Sequence, residues 1–343
     1  MLAALQNQCA TWLSASEPKM IEQTEITIIG AGLAGLSAAS LLKRSGRQVK
    51  VIDKGRGLGG RLAGRRIGDA RFDHGAQFMT TRDSQFIHQV NQWISAGVAE
   101  EWYSSFPGEP NSHARYRGVP GMTAIAKHLA TDIDVKLTTR VTAVTEEKNR
   151  WTVTTDNGSC LQSDALIITS PVPQSLELLA SSGITLHPEI SARLGRIRYE
   201  SCIAVMAILH QPSKIPPPGA LVINQGPVAW IADNQQKGVS QVPTATIHAS
   251  GEFSAEHFER DRHHVGEELI EAASSHLHAR VTDFQVHGWR YSKPTVIDNS
   301  RCLLGSQSTS LPPLIFAGDA FGGPRVEGAF LSGQAAADAL LKA

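Results

Sequence analysis

Residues 27–39 read TIIGAGLAGLSAA, and no other stretch limits the possible folds as strongly. Glu25-Ile26-Thr27-Ile28-Ile29 is the β-branched run that a parallel strand buried on both faces requires. Gly30, Gly32 and Gly35 follow directly, then small residues at helical spacing from Leu36 to Arg44, with Gly46 as a stop. A second apolar strand, Val49 to Ile52, closes at Asp53. Strand, glycine turn, helix, strand and acid together make the βαβ dinucleotide fingerprint. Gly30 permits the tight turn, Gly32 lets a pyrophosphate approach the backbone, and Gly35 lets helix and strand lie close. Leu33 and Ala34, between the glycines and the helix, join them as candidate cofactor contacts, and the helix N-terminus offers unpaired N–H groups and a partial positive charge to phosphates. Asp53 can accept both hydroxyls of a ribose. A βαβ unit with no ligand is the competing reading, and the acid weighs against it.

The residues after Asp53 bear on which dinucleotide. Lys54 to Leu62 read KGRGLGGRL, a second glycine cluster with Arg61 immediately behind the Gly59-Gly60 pair. A simple NAD dehydrogenase has no need of it, whereas the longer FAD must be gripped at several points. The stretch favours FAD.

With FDHGAQFMT at 72–80 and LIFAGDA at 314–320, followed by GGPRVEGAFLSGQAAADALL, the chain resembles the FAD-dependent amine oxidase and phytoene desaturase superfamily, and within it the bacterial renalases. That resemblance implies an α/β fold, with a Rossmann-like FAD-binding domain and a second α+β substrate domain. It puts Gly318 and Asp319 at the flavin ribityl and pyrophosphate region. Arg325, Val326 and Ala329 then fall at a helix start under the isoalloxazine, where the helix dipole would favour negative charge. Arg61, Gln77 and Phe78 match positions that touch FAD, and Val141 would meet the adenine end through its backbone. Pro120-Gly121-Met122, with Ile125 and Leu129 behind, is similar to a helix opening of the same superfamily. Members that attach FAD covalently carry a cysteine in the C-terminal motif; this chain has none there, so non-covalent FAD is expected.

Alternating runs between Val135 and Ser170 predict a β-meander returning to the nucleotide sheet, and Pro171 and Pro173 mark an exit into a second domain. The expected division is an N-terminal extension at 1–22, an FAD-binding domain at 23–82, 120–172 and 300–343, and a substrate domain at 83–119 and 173–299. In the latter, strands are expected near 202–209, 228–232 and 244–249, with one helix over 252–280. Residues 1–20 carry no basic segment ahead of their apolar residues, so a secretory signal is not expected. Leu2, Leu5, Trp12 and Leu13 offer at most a weak amphipathic turn.

Bulk properties exclude several classes. Lysine plus arginine equals aspartate plus glutamate at 32 each, so no global field favours nucleic acid or an anionic membrane. Apolar runs such as Ile203 to Leu209 are strand-length, well short of a span. Cys9, Cys160, Cys202 and Cys302 form no C-x-x-C, which fits thiols in a reducing cytoplasm. His257, His263, His264, His276 and His278 show no ligand spacing, so no metal is expected. The absence of G-x-S-x-G removes support for hydrolase chemistry.

His248, in ATIHAS, matches the renalase position facing the flavin, and Trp289 and Tyr291, in GWRYSKP, match the aromatic segment returning to the FAD domain. With Gln77 they are the candidate catalytic residues; packing is the competing role for the two aromatics. The resemblance implies flavin oxidation of a C–H bond beside nitrogen. An amine oxidase would frame its substrate with an aromatic cage, which this chain's four tyrosines support poorly. Renalase-like enzymes instead oxidise 2- or 6-dihydro isomers of NAD(P)H to NAD(P)+, with dioxygen reduced to hydrogen peroxide. Open alternatives are an amine oxidase or desaturase on another substrate, and a flavoprotein without turnover.

Overall fold

The computed structural model describes residues 21–105 and 113–342. The reading of residues 1–20 lies outside them.

Five parallel strands form the centre of the first sheet, in the order Leu314–Phe316, Cys160–Ile168, Glu22–Ile29, Val49–Ile52 and Asp134–Lys136. Leu303–Leu304 adds an antiparallel edge, and the hairpin Val141–Glu147 and Arg150–Thr155 joins the start of Cys160–Ile168. With one exception the buried positions of these strands are apolar or uncharged, Thr24, Thr27 and Ser163 among them, because both faces are covered. Lys50, in Val49–Ile52, is the exception: it is buried, and its ammonium pairs with Asp134 at 2.8 Å and with Glu22. The first strand thus begins at Glu22, three residues before its β-branched run, because Glu22 continues the register against Leu161.

Helix Leu33–Arg44 begins earlier than its small-residue run, since Gly32 is its extended N-cap. It lies against the last helix, Val326–Leu341, through bonds that bury polar groups: Ser37 Oγ donates to Phe330 O at 2.9 Å, and Gln334 Nε2 donates to Ser37 O at 2.9 Å. This contact fixes where the last helix starts. Phe86 and Trp93 of helix Ser84–Ser95 pack edge-on or tilted against Phe330, 5.4 and 5.7 Å between ring centres.

The second sheet is antiparallel, ordered Ala220–Val222, Val228–Asp233, Thr244–Ala249, Arg198–Leu209 and Val281–Val296. The expected strands are there, and the long Val281–Val296 strand goes beyond them. Two other expectations change. Helices Val172–Ser181 and Pro188–Gly195, beyond the proline exit, bury Leu179, Ile190 and Leu194 against Ile168 and Phe316, so this segment packs on the first sheet and the chain crosses only near Arg198. The helix expected over 252–280 is two, Gly251–His257 and Arg262–Leu277, because Asp261 caps the second by accepting the N–H groups of His263 and His264 at 3.0 Å each. Val265, Leu269, Ala273 and Leu277 seat that helix on the second sheet. Among the described residues no helix is long and apolar enough to cross a membrane.

Candidate active site

A cavity of about 1600 Å³ runs from the ends of the first sheet's parallel strands to the face of the second sheet. At the nucleotide end it is lined by Gly30, Gly32, Leu33, Ala34, Asp53, Lys54, Gly60, Arg61 and Val141, and further along by Gly318, Asp319, Arg325, Val326 and Ala329. Gln77, Phe78, His248, Trp289 and Tyr291 line the other end. Gly35 is the one candidate that does not line it: a Cβ there would meet Gly30 O at 1.9 Å, so this glycine serves helix-to-turn packing. Gly30 takes φ +111° in the turn itself.

Asp53 is engaged before any ribose arrives. Its Oδ2 accepts the Ala31 N–H and its Oδ1 the Gly55 N–H, each at 2.6 Å, so the carboxylate ties the glycine turn to the second strand's end and keeps further lone pairs for a ligand. Arg61 forms a two-pronged pair with Asp319, 2.6 Å on each prong, and donates to Ser292 O at 3.0 Å. The chain thereby links the second glycine cluster, the C-terminal motif and the second sheet at one point. Tyr199 packs edge-on to Tyr291 at 5.5 Å, and burial, helped by Asp319, pushes its phenol up to about 12.

Gln77 differs from its expected role at the flavin edge. Its side-chain Nε2 donates to Asp73 O at 2.6 Å and Gly75 O at 3.2 Å, while Oε1 accepts from Lys237 at 3.3 Å. The amide is spent inside the protein, where it shapes the 73–77 loop. Phe78 faces Trp230 at 5.7 Å, with the Arg115 guanidinium 5.6 Å from its ring centre.

His248 is cross-strand to Trp230 and Ala204, and its Nε2 lies 3.2 Å from His74 O. A carbonyl only accepts, so Nε2 carries the proton and Nδ1 is the acceptor. Trp289 Nε1 donates to the same carbonyl at 2.9 Å. The His74 ring stacks on Trp289 at 5.2 Å and meets His287 edge-on at 5.0 Å; His287 is 4.2 Å from Trp289. Burial holds all three imidazoles neutral at neutral pH: His74 falls to about 3, with His287 and Arg65 adding to the effect, and His248 to about 4. His287 is lowered by burial and by Arg65.

Sequence reasoning missed His74, His287 and Lys237. His287 was legible from period two, since it precedes Trp289 by two residues and shares its strand face. Lys237 carried no signal, lying in a polar turn after Val228–Asp233. Its side chain is fully buried, Nζ 2.9 Å from Asp73 Oδ2 and 4.9 Å from the Trp102 ring centre. Among the described residues no group of three or more His, Cys, Asp or Glu side chains is arranged to hold a metal ion.

Comparison with known proteins agrees with this architecture. Residues 28–92 match the family profile of an NAD(P)-binding Rossmann-like domain, and residues 99–341 that of flavin containing amine oxidoreductases. The chain is 24% identical over 320 residues to renalase of Mus musculus, covering 87% of this chain and 93% of that one. It is 47% identical over 53 residues to a 1-hydroxycarotenoid 3,4-desaturase of Flavobacterium sp. (strain P99-3), 16% of this chain and 11% of that one. Putrescine oxidase bound to putrescine shares the fold at TM-score 0.70 and 15% identity, over 94% of this chain and all of that one.

Proposed function

The chain belongs to the flavin containing amine oxidoreductase family, and from that premise we propose that it is an FAD-dependent oxidase returning 2- or 6-dihydro isomers of NAD(P)H to NAD(P)+, with dioxygen reduced to hydrogen peroxide. The likeness to renalase along most of the chain supports this choice of substrate. One observation carries it: the wall around His248 consists of neutral imidazoles and aromatic rings, and the cavity's lining carboxylates among the described residues, Asp53, Glu177 and Asp319, belong to the nucleotide side. An ammonium group there would meet ring faces but, among the described residues, no carboxylate to pair with it.

The residues fit a dinucleotide flavin. A Cβ on Gly32 would meet nothing within 4 Å, which leaves the open approach a pyrophosphate needs beside the N-terminus of Leu33–Arg44. Asp53, Lys54 and Val141 would hold the adenosine half, Arg61 and Asp319 the pyrophosphate and ribityl, and the start of Val326–Leu341 the ring. When bound, the flavin supplies a hydride acceptor and a route for electrons to dioxygen. We assign the first sheet to cofactor binding and the second to covering the substrate. The FAD is held non-covalently: Cys202, the thiol in the cavity lining, is pushed up to about 12 by burial and stays protonated.

The chain's own task is positional. A dihydropyridine loses hydride readily because it becomes an aromatic pyridinium, so no residue need take a proton from carbon. Trp289, Phe78 and Trp230 offer the stacking surface. His248, with Nε2–H committed to His74 O, presents Nδ1 as an acceptor for a carboxamide N–H. Anaerobic mixing tests the reading. Rapid flavin bleaching by a dihydronicotinamide isomer is expected; bleaching by amines alone would replace it with an amine oxidase, and bleaching by neither with a flavoprotein lacking turnover.

A further inference from the structure

We propose that Lys237 is a positioning residue for the reaction: through Asp73 and Gln77 it fixes the backbone of residues 73–77, and the His74 carbonyl within that backbone sets how His248 and Trp289 face the substrate. The inference rests on the reading above and names what holds the two side chains that would orient the dihydropyridine. Lys237 itself stands behind the cavity wall and is not part of its lining. The His74 carbonyl is the shared acceptor. His248 Nε2–H reaches it at 3.2 Å from strand Thr244–Ala249, and Trp289 Nε1–H at 2.9 Å from strand Val281–Val296. One oxygen thus commits His248 to the tautomer with Nδ1 as acceptor and fixes the plane of the indole. Displacing it would release both.

Residues 74–78 belong to no strand or helix, so other contacts must place that oxygen. Towards the first sheet, the Ala76 N–H donates to Arg61 O at 2.8 Å, and a Cβ on Gly75 would meet the same oxygen at 2.1 Å, so the segment lies directly on the second glycine cluster. Towards the second sheet, Thr246 Oγ1 donates to Asp73 O at 3.0 Å, one carbonyl before the one that His248 takes. Thr246 and His248 are two residues apart on one strand and share a face. Lys237 completes the arrangement. Its Nζ donates to Asp73 Oδ2 at 2.9 Å and to Gln77 Oε1 at 3.3 Å, while Gln77 Nε2 donates to Asp73 O at 2.6 Å and Gly75 O at 3.2 Å. The carbonyls on either side of His74 are therefore tied by an amide whose orientation the ammonium dictates: with Oε1 held by a donor, only Nε2 can face the backbone. Apolar packing in place of the whole Lys237–Asp73 pair would serve stability as well; orienting the amide requires a donor at this position.

The test uses flavin-saturated protein carrying Lys237→Met and His248→Asn, singly and together, assayed below each unfolding midpoint with flavin occupancy checked by absorbance. In anaerobic reduction by a dihydro-NAD isomer, Lys237→Met should lower the ratio of reduction rate to substrate Kd about tenfold, the effect of one misplaced hydrogen bond. Because the lysine acts through His248 and Trp289, adding Lys237→Met to His248→Asn should lower that ratio less than about threefold further. Nitrogen NMR of the imidazole supplies a readout independent of turnover. Wild-type His248 should show one protonated and one acceptor nitrogen, and Lys237→Met should average the two, the signals being assigned by their loss in His248→Asn. A lysine that serves stability alone would lower Tm, leave the ring nitrogens distinct and multiply with His248→Asn, and that result would overturn the proposal. Gln77→Leu breaks the same network without stranding a charge, and should reproduce the averaging where Lys237→Met yields too little folded protein. Ring nitrogens that average in Lys237→Met, in a protein that no dihydronicotinamide bleaches, keep the positioning role and sink the proposed reaction.

Discussion

Lys237→Met should destabilise the protein far more than an ordinary lysine substitution. The Lys237 and Asp73 side chains are 0% and 2% exposed, and their 2.9 Å contact ties the turn after Val228–Asp233 to the end of strand Ala70–Asp73. Asp73 is engaged on both oxygens, with Oδ1 accepting the Met122 N–H at 2.9 Å, and its carbonyl accepts from Thr246 at 3.0 Å. Removing the ammonium leaves a buried carboxylate without its counter-charge, at a cost of about 3–5 kcal/mol. For a chain of this size that corresponds to a fall in Tm of roughly 4–7 °C. Asp73→Asn keeps an acceptor for Met122 while deleting the charge, so Lys237→Met with Asp73→Asn should recover at least about 1 kcal/mol relative to Lys237→Met alone. Thermal unfolding followed by tryptophan fluorescence, with flavin release measured in the same scan, reads both effects. A single variant melting within about a degree of wild type, or a double variant whose losses simply add, would refute the claim that a stranded charge is the cause.

Asp53→Ala removes the proposed acceptor for two ribose hydroxyls, each bond to a charged partner worth about 1.5–3 kcal/mol, so flavin affinity should fall at least about a hundredfold, and freeing the Ala31 and Gly55 N–H groups should lower Tm as well; full yellow occupancy after dialysis would contradict this. Acid precipitation should leave free flavin in the supernatant, and flavin in the pellet would show a covalent link. His248→Asn should slow flavin reduction or weaken substrate binding about tenfold, with activity surviving and no limb near pH 6.5 in the wild-type reductive step; a loss of several orders of magnitude together with such a limb would require a base. His248 and His74 bind protons in the unfolded chain below pH 6.5 but in the folded one only near 4 and 3, so stability should drop as pH falls through that window. For His248 alone the loss is about 3 kcal/mol by pH 4, at about 1.4 kcal/mol per unit, and urea midpoints between pH 7 and 4 measure it. Gln77→Leu should lower Tm before it shifts the flavin spectrum, because the amide holds Asp73 O and Lys237.

The parts of this site that sequence discloses are those where the backbone is the functional group. A turn that must take positive φ at Gly30, a close approach at Gly35 and a strand end at Asp53 each restrict residue type at a fixed spacing, and that restriction is visible in a single chain. Phe78, His248 and Trp289 were legible only through the family resemblance, and Gln77 shows its limit: the position lines the cavity, but the amide turns inward to a lysine 160 residues away. Lys237, Asp73 and Thr246 meet across two sheets, and no local periodicity encodes such a meeting. The proline exit misled for a related reason. Pro171 and Pro173 do end the strand's path, but the apolar face of Val172–Ser181 then decides where the helix goes, and Leu179 takes it back to the first sheet.

One arrangement accounts for both the chemistry the wall permits and the ligand it admits. His74 stays neutral first because it is buried, and then because His287 and Arg65 raise the local positive potential. An imidazole held neutral cannot serve as a proton donor near pH 7, which suits a reaction in which carbon loses hydride and no proton moves. The Arg65 charge that disfavours imidazolium also disfavours an ammonium group beside the same rings, since both effects follow from the sign of one field. Arg65→Gln should therefore raise the His74 and His287 pKa values. Histidine ring NMR shifts followed against pH read the change; unaltered titration in the variant would mean that burial alone keeps these rings neutral.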